Sequence, residues 1–375
     1  MINMEPVLKR GYTAWDQDVL PADEFSERIF AVRAQMQQQG LAALVVVNYS
    51  LLGAMFEYAD IAYLGGLQSG GVLLVLHDEE PTLISFGGGR ELFFMRDQTW
   101  TKNVVPGKGK TFEVVRDLLV AHGVKSGAIG TTGIADMPVS AVQRFQQAFQ
   151  DYALAPFDET LAKLRSAKRP RELMAIGIAK GIVDDAATAA QQVFADGGDN
   201  TAAMIEAERI ARFHKARDVR VLVNMNQHEL RPFEGRLEGR HSPLLLWVAA
   251  QYHGYWAEKA ITVPASSKVA ADYSVEAMQA AAVAGARAGD VAAAGLAALP
   301  ADSVDTALQY GLGGTIGLAL CEGVPIEPRN NSVLQEGAVI SLHAFARGPK
   351  TSSIASRLIR IGTGGAQEVA ALRLD

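Results

Sequence analysis

The sequence predicts two domains, an α/β domain over residues 1–160 and an α+β domain over residues 161–375. Three observations carry that prediction. Helix-period and strand-like segments alternate from residue 20 to about residue 155, the pattern of a layered α/β unit. The composition then shifts to Lys163, Arg165, Lys168, Arg169 and Arg171 around Pro170, which marks a junction. Beyond it come two Ala-rich helical stretches, several strands and a further helix, an α+β order rather than a sheet wound on both faces.

In the first domain, Phe25, Ile29, Val32 and Met36 recur at helical spacing and predict a helix over Glu24–Gln39 that stops at Gly40. Short valine- and leucine-rich runs at Leu41–Asn48, Gly71–His77 and Pro81–Phe86 predict strands. Phe112–His122 reads as an amphipathic helix, Gly127–Thr131 as a strand and Ser140–Phe149 as a helix. In the second domain, Arg171–Ala195 and Thr201–His214 predict helices separated at Gly197, Gly198 and Asp199. Strands are predicted at Val219–Asn224, Leu244–Gln251, Tyr255–Val263, Val339–Ala344 and Leu358–Ile361. Val275–Leu299 reads as helical with an interruption near Gly285 and Gly289.

Composition narrows the function classes. Of the 375 residues, 49% are apolar and 20% charged, which is ordinary globular composition and rules out a disordered or collagen-like chain. The net charge of −6 and the lack of a basic run argue against a nucleic-acid partner. The single cysteine, Cys321, excludes an internal disulfide and a Cys-rich zinc site, and fits a reducing compartment. The first sixteen residues carry Glu5, Lys9, Arg10 and Asp16 and lack the apolar core of a signal peptide. The most apolar windows are under ten residues, too short to span a bilayer. A cytoplasmic protein with no membrane association is expected.

Several segments, in order, resemble the pita-bread fold of the creatinase/prolidase family. Leu164–Ala179, LRSAKRPRELMAIGIA, is similar to the basic lead-in and first helix of that family. His253-Gly254-Tyr255-Trp256-Ala257-Glu258 resembles its Gly-Tyr strand, and Tyr310–Gly317, YGLGGTIG, its His-Gly-x-Gly-His-x-x-Gly loop. Leu334–Leu342 is similar to the Leu-x-x-Gly-Met-Val strand and Ser356–Val369 to the closing strand and turn. The resemblance implies an α/β amino-terminal domain followed by a pita-bread catalytic-type domain. It also implies a homodimer.

Metallopeptidases of this family hold two divalent ions with two Asp, one His and two Glu, hard ligands suited to ions that activate water. At the corresponding positions this sequence carries Trp247, Glu258, Gly314, His343 and Ser356. Two remaining ligand types would leave an ion mostly to water, so neither a metal centre nor another cofactor is expected. Creatinase, a metal-free relative, uses a His and two Glu. Those positions fall here on Leu230, Ala260 and His343, so creatine hydrolysis is not supported. Other relatives open ectoine, and one branch is a non-catalytic peptide-binding domain of a histone chaperone.

Within the pocket that the resemblance implies, Glu258 and His343 form a candidate catalytic acid/base pair, because a carboxylate beside an imidazole exchanges protons near neutral pH. A structural salt bridge is the competing reading. Arg231 and Arg357 are candidates to hold an anionic group, since a guanidinium grips a carboxylate through two hydrogen bonds. His228, Trp247, Tyr255, Tyr310 and Cys321 are candidate substrate-binding residues; aromatic core packing and an inert buried thiol are the competing readings for Tyr255 and Cys321. The leading expectation is a metal-independent enzyme that acts on a small polar metabolite by C–N hydrolysis or elimination. The alternative is a non-catalytic binding module for a peptide or metabolite, and a metallopeptidase is the third reading.

Overall fold

The computed structural model describes residues 14–49, 59–224, 226, 228–232, 239–264, 267–350 and 352–374, with the side chain of Arg90 left aside. Residues 1–13 of the charged N-terminal segment considered above therefore lie outside the described residues. The chain divides into two compact units, with the boundary between Arg165 and Ser166.

The first unit begins with α1 (Ala22–Gln38), whose Phe25, Ile29, Val32 and Met36 are buried as the spacing predicts. The helix stops where Gly40 takes a left-handed φ of 65°. β1 (Ala43–Asn48), α2 (Ala59–Gly65), β2 (Gly71–Leu76), β3 (Thr82–Ser85), α3 (Gly89–Gln98), β4 (Asn103–Pro106), α4 (Thr111–Ala121), β5 (Gly127–Thr132), α5 (Val139–Ala148), β6 (Tyr152–Pro156) and α6 (Asp158–Ser166) follow. The six strands form one mixed sheet in the order β4-β3-β2-β1-β5-β6. β1 and β2 are buried along nearly their whole length, which explains their unbroken apolar runs.

The second unit opens with α7 (Pro170–Ala195). Pro170 occupies its first turn, and the Glu172 carboxylate accepts from the Arg169 amide at 3.1 Å. α8 (Asn200–Phe213) starts after Asp199, whose side chain accepts from the Ala202 amide at 2.8 Å. Then come β7 (Asp218–Asn224), β8 (Leu230–Pro232), β9 (Leu244–Tyr252), β10 (Tyr255–Val263), α9 (Ala270–Ala281), α10 (Ala288–Ala297), a short 3₁₀ turn (Ala301–Ser303), α11 (Val304–Tyr310), β11 (Gly313–Thr315), β12 (Val339–Ala346), β13 (Ser353–Gly362) and β14 (Gly365–Glu368). The single helix read over Val275–Leu299 is two helices, because the chain leaves the helix at Ala282 and Gly285 takes φ 88°.

Two four-stranded sheets, β10-β9-β7-β8 and β11-β12-β13-β14, form the body of this unit. β9 and β10 are joined by His253 and Gly254, both at positive φ, the geometry of a tight hairpin. The hairpin fixes the register that places Trp247 opposite Ala260 and Ala249 opposite Glu258. The sheets meet where β10 lies against β13: the Ser356 hydroxyl accepts from the Ala260 amide at 2.7 Å, and the Thr262 hydroxyl donates to the Ile354 carbonyl at 2.8 Å. α7 covers β9 and β10, and α9 covers β12 and β13. The closing residues of the chain lie along α7, where the Leu372 amide donates to the Gly177 carbonyl at 2.8 Å. A Cβ on Gly181 would stand 2.0 Å from the Leu372 carbonyl oxygen, so this groove exists because α7 carries glycine there. Among the described residues, no helix is long and apolar enough to cross a membrane.

Candidate functional site

Strand alternation decides which side chains share the face opposite the helices. On β10, Tyr255 and Lys259 turn toward α7: the Tyr255 hydroxyl donates to Glu172 Oε1 at 3.2 Å, and Lys259 lies 3.6 Å from Asp184. Glu258, three residues after Tyr255, therefore faces the other way. It meets His343 and Ser341 of β12, which are two residues apart and so share a face.

The Glu258 carboxylate is held by three side-chain donors. His343 Nδ1 lies 2.7 Å from Oε1, the Ser341 hydroxyl donates to Oε1 at 2.6 Å, and Trp247 Nε1 donates to Oε2 at 3.0 Å. A carboxylate only accepts, so Nδ1 carries a proton. The carboxylate beside Nδ1 favours the protonated ring. Burial alone pushes the Glu258 carboxyl up, but the adjacent His343 charge and hydrogen bond, with those of Ser341 and Trp247, hold it below the usual carboxylate range. Burial alone would push His343 down; the Glu258 charge and hydrogen bond and the Tyr310 carbonyl raise it above the usual imidazole range. Glu258 is 4% exposed and His343 20%, so the imidazolium is the member that meets solvent.

The five positions that the resemblance assigns to metal ligands form one connected set. Trp247 bonds Glu258, Glu258 bonds His343, His343 pairs across the sheet with Ser356, and Gly314 pairs with Ser341. They do not fit a dinuclear centre: Glu258 is already taken by three donors and the Ser356 hydroxyl is committed to Ala260. Among the described residues, no group of three or more His, Cys, Asp and Glu is arranged to hold a metal ion.

Tyr310 closes one side of this set. Its ring stacks on Phe345 at 4.2 Å, and its hydroxyl accepts from the Leu230 amide at 3.0 Å. Leu222, Leu230, Leu245, Ala260, Phe345 and Ile354 pack with Trp247 and Tyr310 into an apolar cluster around it. His228 lies apart from the pair, with Nδ1 3.1 Å from the Ser352 hydroxyl.

Two sequence expectations, Tyr255 and Arg357, are corrected, and two further candidates, Arg231 and Cys321, are placed. Tyr255 points to Glu172 on the helix face, three strand positions out of phase with Glu258. Arg357 follows Ser356 and so emerges on the opposite face, where it bonds Gln279 and Glu276 of α9. Arg231 is half-exposed and paired with Glu229 at 3.0 Å, while its neighbour Leu230 takes the inward position on β8. Cys321 is exposed rather than buried, and its Sγ lies near Gly314. The residue missed is Ser341. Its place two residues before His343 in an otherwise apolar strand is the signal, because period 2 puts both polar groups on one face.

Residues 28–167 match the family model of the Creatinase/Prolidase N-terminal domain. The chain has the creatinase/prolidase fold. It superposes on an X-Pro aminopeptidase from Thermotoga maritima with a TM-score of 0.74 at 16% identity, covering 92% of this chain and 97% of that one. It matches an Xaa-Pro dipeptidase from Bacillus anthracis with a TM-score of 0.71 at 15% identity, covering 94% and 99%. The N-terminal domain of FACT complex subunit SPT16 from Cicer arietinum also matches, with a TM-score of 0.63 at 15% identity over 92% and 96%. No curated protein matches the chain. The creatinase/prolidase fold thus comes here with a carboxylate and an imidazole, Glu258 and His343, joined to each other on the sheet face opposite the helices.

Proposed function

We propose that this creatinase/prolidase-fold protein is a metal-independent enzyme that cleaves a C–N bond in a small polar metabolite, with His343 as proton donor. The observation that supports it is the 2.7 Å contact between Glu258 Oε1 and His343 Nδ1, with the carboxylate locked by Ser341 and Trp247. Both Glu258 oxygens are occupied, so Glu258 is a positioning residue that orients the ring and stabilises its charge. The second imidazole nitrogen is the working atom. In hydrolysis its proton passes to the departing nitrogen as the C–N bond breaks, and the water that adds to carbon returns a proton to the same nitrogen. In elimination the same donation to the departing nitrogen accompanies loss of a proton from the adjacent carbon, which the imidazole nitrogen takes up, with no water consumed. The reading includes a cytoplasmic homodimer; light scattering in solution at monomer mass removes the dimer.

A second reading, a non-catalytic binding module, is favoured by one observation: both oxygens of the Glu258 carboxylate are taken by side-chain donors. One experiment separates them. Chelator-treated protein is screened by thermal shift with amidines, ureas, cyclic amides and Xaa-Pro dipeptides, and stabilising compounds are then followed for product by mass spectrometry. Product formed by wild type and lost in His343→Gln supports the enzyme. Stabilisation without product supports the binding module, and product only after a divalent metal is restored overturns metal independence.

A further inference from the structure

A cavity of about 470 Å³ lies in the second unit, lined by residues from the ends of β9, β10, β12 and β13, the start of α9 and the 3₁₀ turn. The residues lining it do not include Glu258 or His343. Its volume is within the range that holds amino-acid-sized ligands. Pro243, Pro264, Pro300, Pro349 and Val269 give it rigid apolar walls. Two lining residues carry charge, Asp302 and Arg347.

These two charges are held near each other by backbone but not joined to each other. The Ser303 hydroxyl donates to the Arg347 carbonyl at 2.8 Å and accepts from the Arg347 amide at 3.1 Å, which fixes the turn carrying Asp302 against the end of β12. Among the described residues, neither the Asp302 carboxylate nor the Arg347 guanidinium makes a side-chain hydrogen bond or ion pair, although ion pairs occur elsewhere on this unit. Two opposite charges on one cavity, each with its bonding capacity open, present an acceptor for an ammonium and a two-pronged donor for a carboxylate.

We infer that this cavity is a second ligand site that binds a small zwitterion, an ammonium and a carboxylate carried on an apolar body. Asp302 takes the ammonium, Arg347 the carboxylate, and the proline-lined walls the apolar part. The site stands apart from the proposed chemistry at His343, so the two succeed or fail separately.

Isothermal titration calorimetry on the full chain tests it with L-leucine, L-leucinamide and N-acetyl-L-leucine, using wild type, Arg347→Ala, Asp302→Asn and His343→Gln. Both cavity residues are exposed, and melting curves check that each variant folds. The expected result is that L-leucine binds wild type and His343→Gln alike. Removing either ligand charge, or either cavity residue, then weakens binding about tenfold or more, the loss of one charge-assisted contact. Absence of binding at about 10 mM overturns the inference. So does binding that survives both cavity variants, or binding lost in His343→Gln alone, which would place the ligand at the other site.

Discussion

Trp247 and His343 grip opposite oxygens of one buried carboxylate, Glu258, from two different sheets. The carboxylate is thereby a fastening between β9, β10 and β12 as well as the partner of an imidazolium. Its removal should be felt in stability and in chemistry alike.

The pair gives a pH signature. Glu258 titrates below its ordinary range in the folded chain, so its contribution is present above the unfolded carboxyl value and is lost as pH falls through the lowered one. His343 titrates above its ordinary range, so its contribution is complete below the unfolded imidazole value and is lost as pH rises through the raised one. The stability difference between wild type and Glu258→Gln should therefore be largest from about pH 4.3 to about pH 6.5 and shrink on either side. Urea unfolding across that range measures it, and a difference independent of pH contradicts the ion pair.

Replacing His343 by Phe leaves the Glu258 charge buried with only neutral donors. A loss of about 3–5 kcal/mol is expected at neutral pH, as for other buried pairs broken on one side. The double change Glu258→Leu with His343→Phe should cost less than His343→Phe alone, since no charge then remains without its counter-ion. A double-mutant cycle by chemical denaturation checks the sign.

Lys168 and Glu322 form a second buried ion pair, at 2.6 Å with both side chains under a tenth exposed, next to Gly317. Lys168→Met should destabilise by about 3–5 kcal/mol and loosen the loop that carries Cys321. Hydrogen exchange of Thr315–Glu322 amides reports the loosening; unchanged protection contradicts it.

The groove on α7 depends on glycine. Gly181→Ala would put a methyl 2.0 Å from the Leu372 carbonyl oxygen, and a cost of about 1–3 kcal/mol is expected for this overpacking. Arg373, paired with Asp185 at 2.7 Å, would be displaced with the same segment. Thermal melting of the variant tests this.

Much of the fold was legible because its core strands carry unmixed signals. β1, β2, β9 and β10 are short apolar runs, and the helical period in α1 places all four of its predicted apolar residues inside. α3 was hidden because it starts directly after Gly87-Gly88, a sequence that reads as a turn. The Glu258–His343 meeting was legible only through the resemblance: the residues are 85 apart in sequence, and no periodicity connects strands of different sheets. Arg357 was misplaced because the strand through Ser356 begins five residues earlier than its apolar stretch suggested, so the inward phase was not available from the local pattern. Tyr255 was misplaced by proximity to Glu258, where alternation over three residues puts the two on opposite faces.

The most direct test of the central claim is product formation from the stabilising compounds by chelator-treated wild type and His343→Gln, assayed side by side. The account predicts that turnover survives the chelator, falls as pH rises through the raised His343 value, and drops about 10²–10⁴-fold in His343→Gln, the usual worth of a positioned proton donor. Turnover abolished by the chelator and restored by a divalent ion, or equal turnover in His343→Gln, would contradict it.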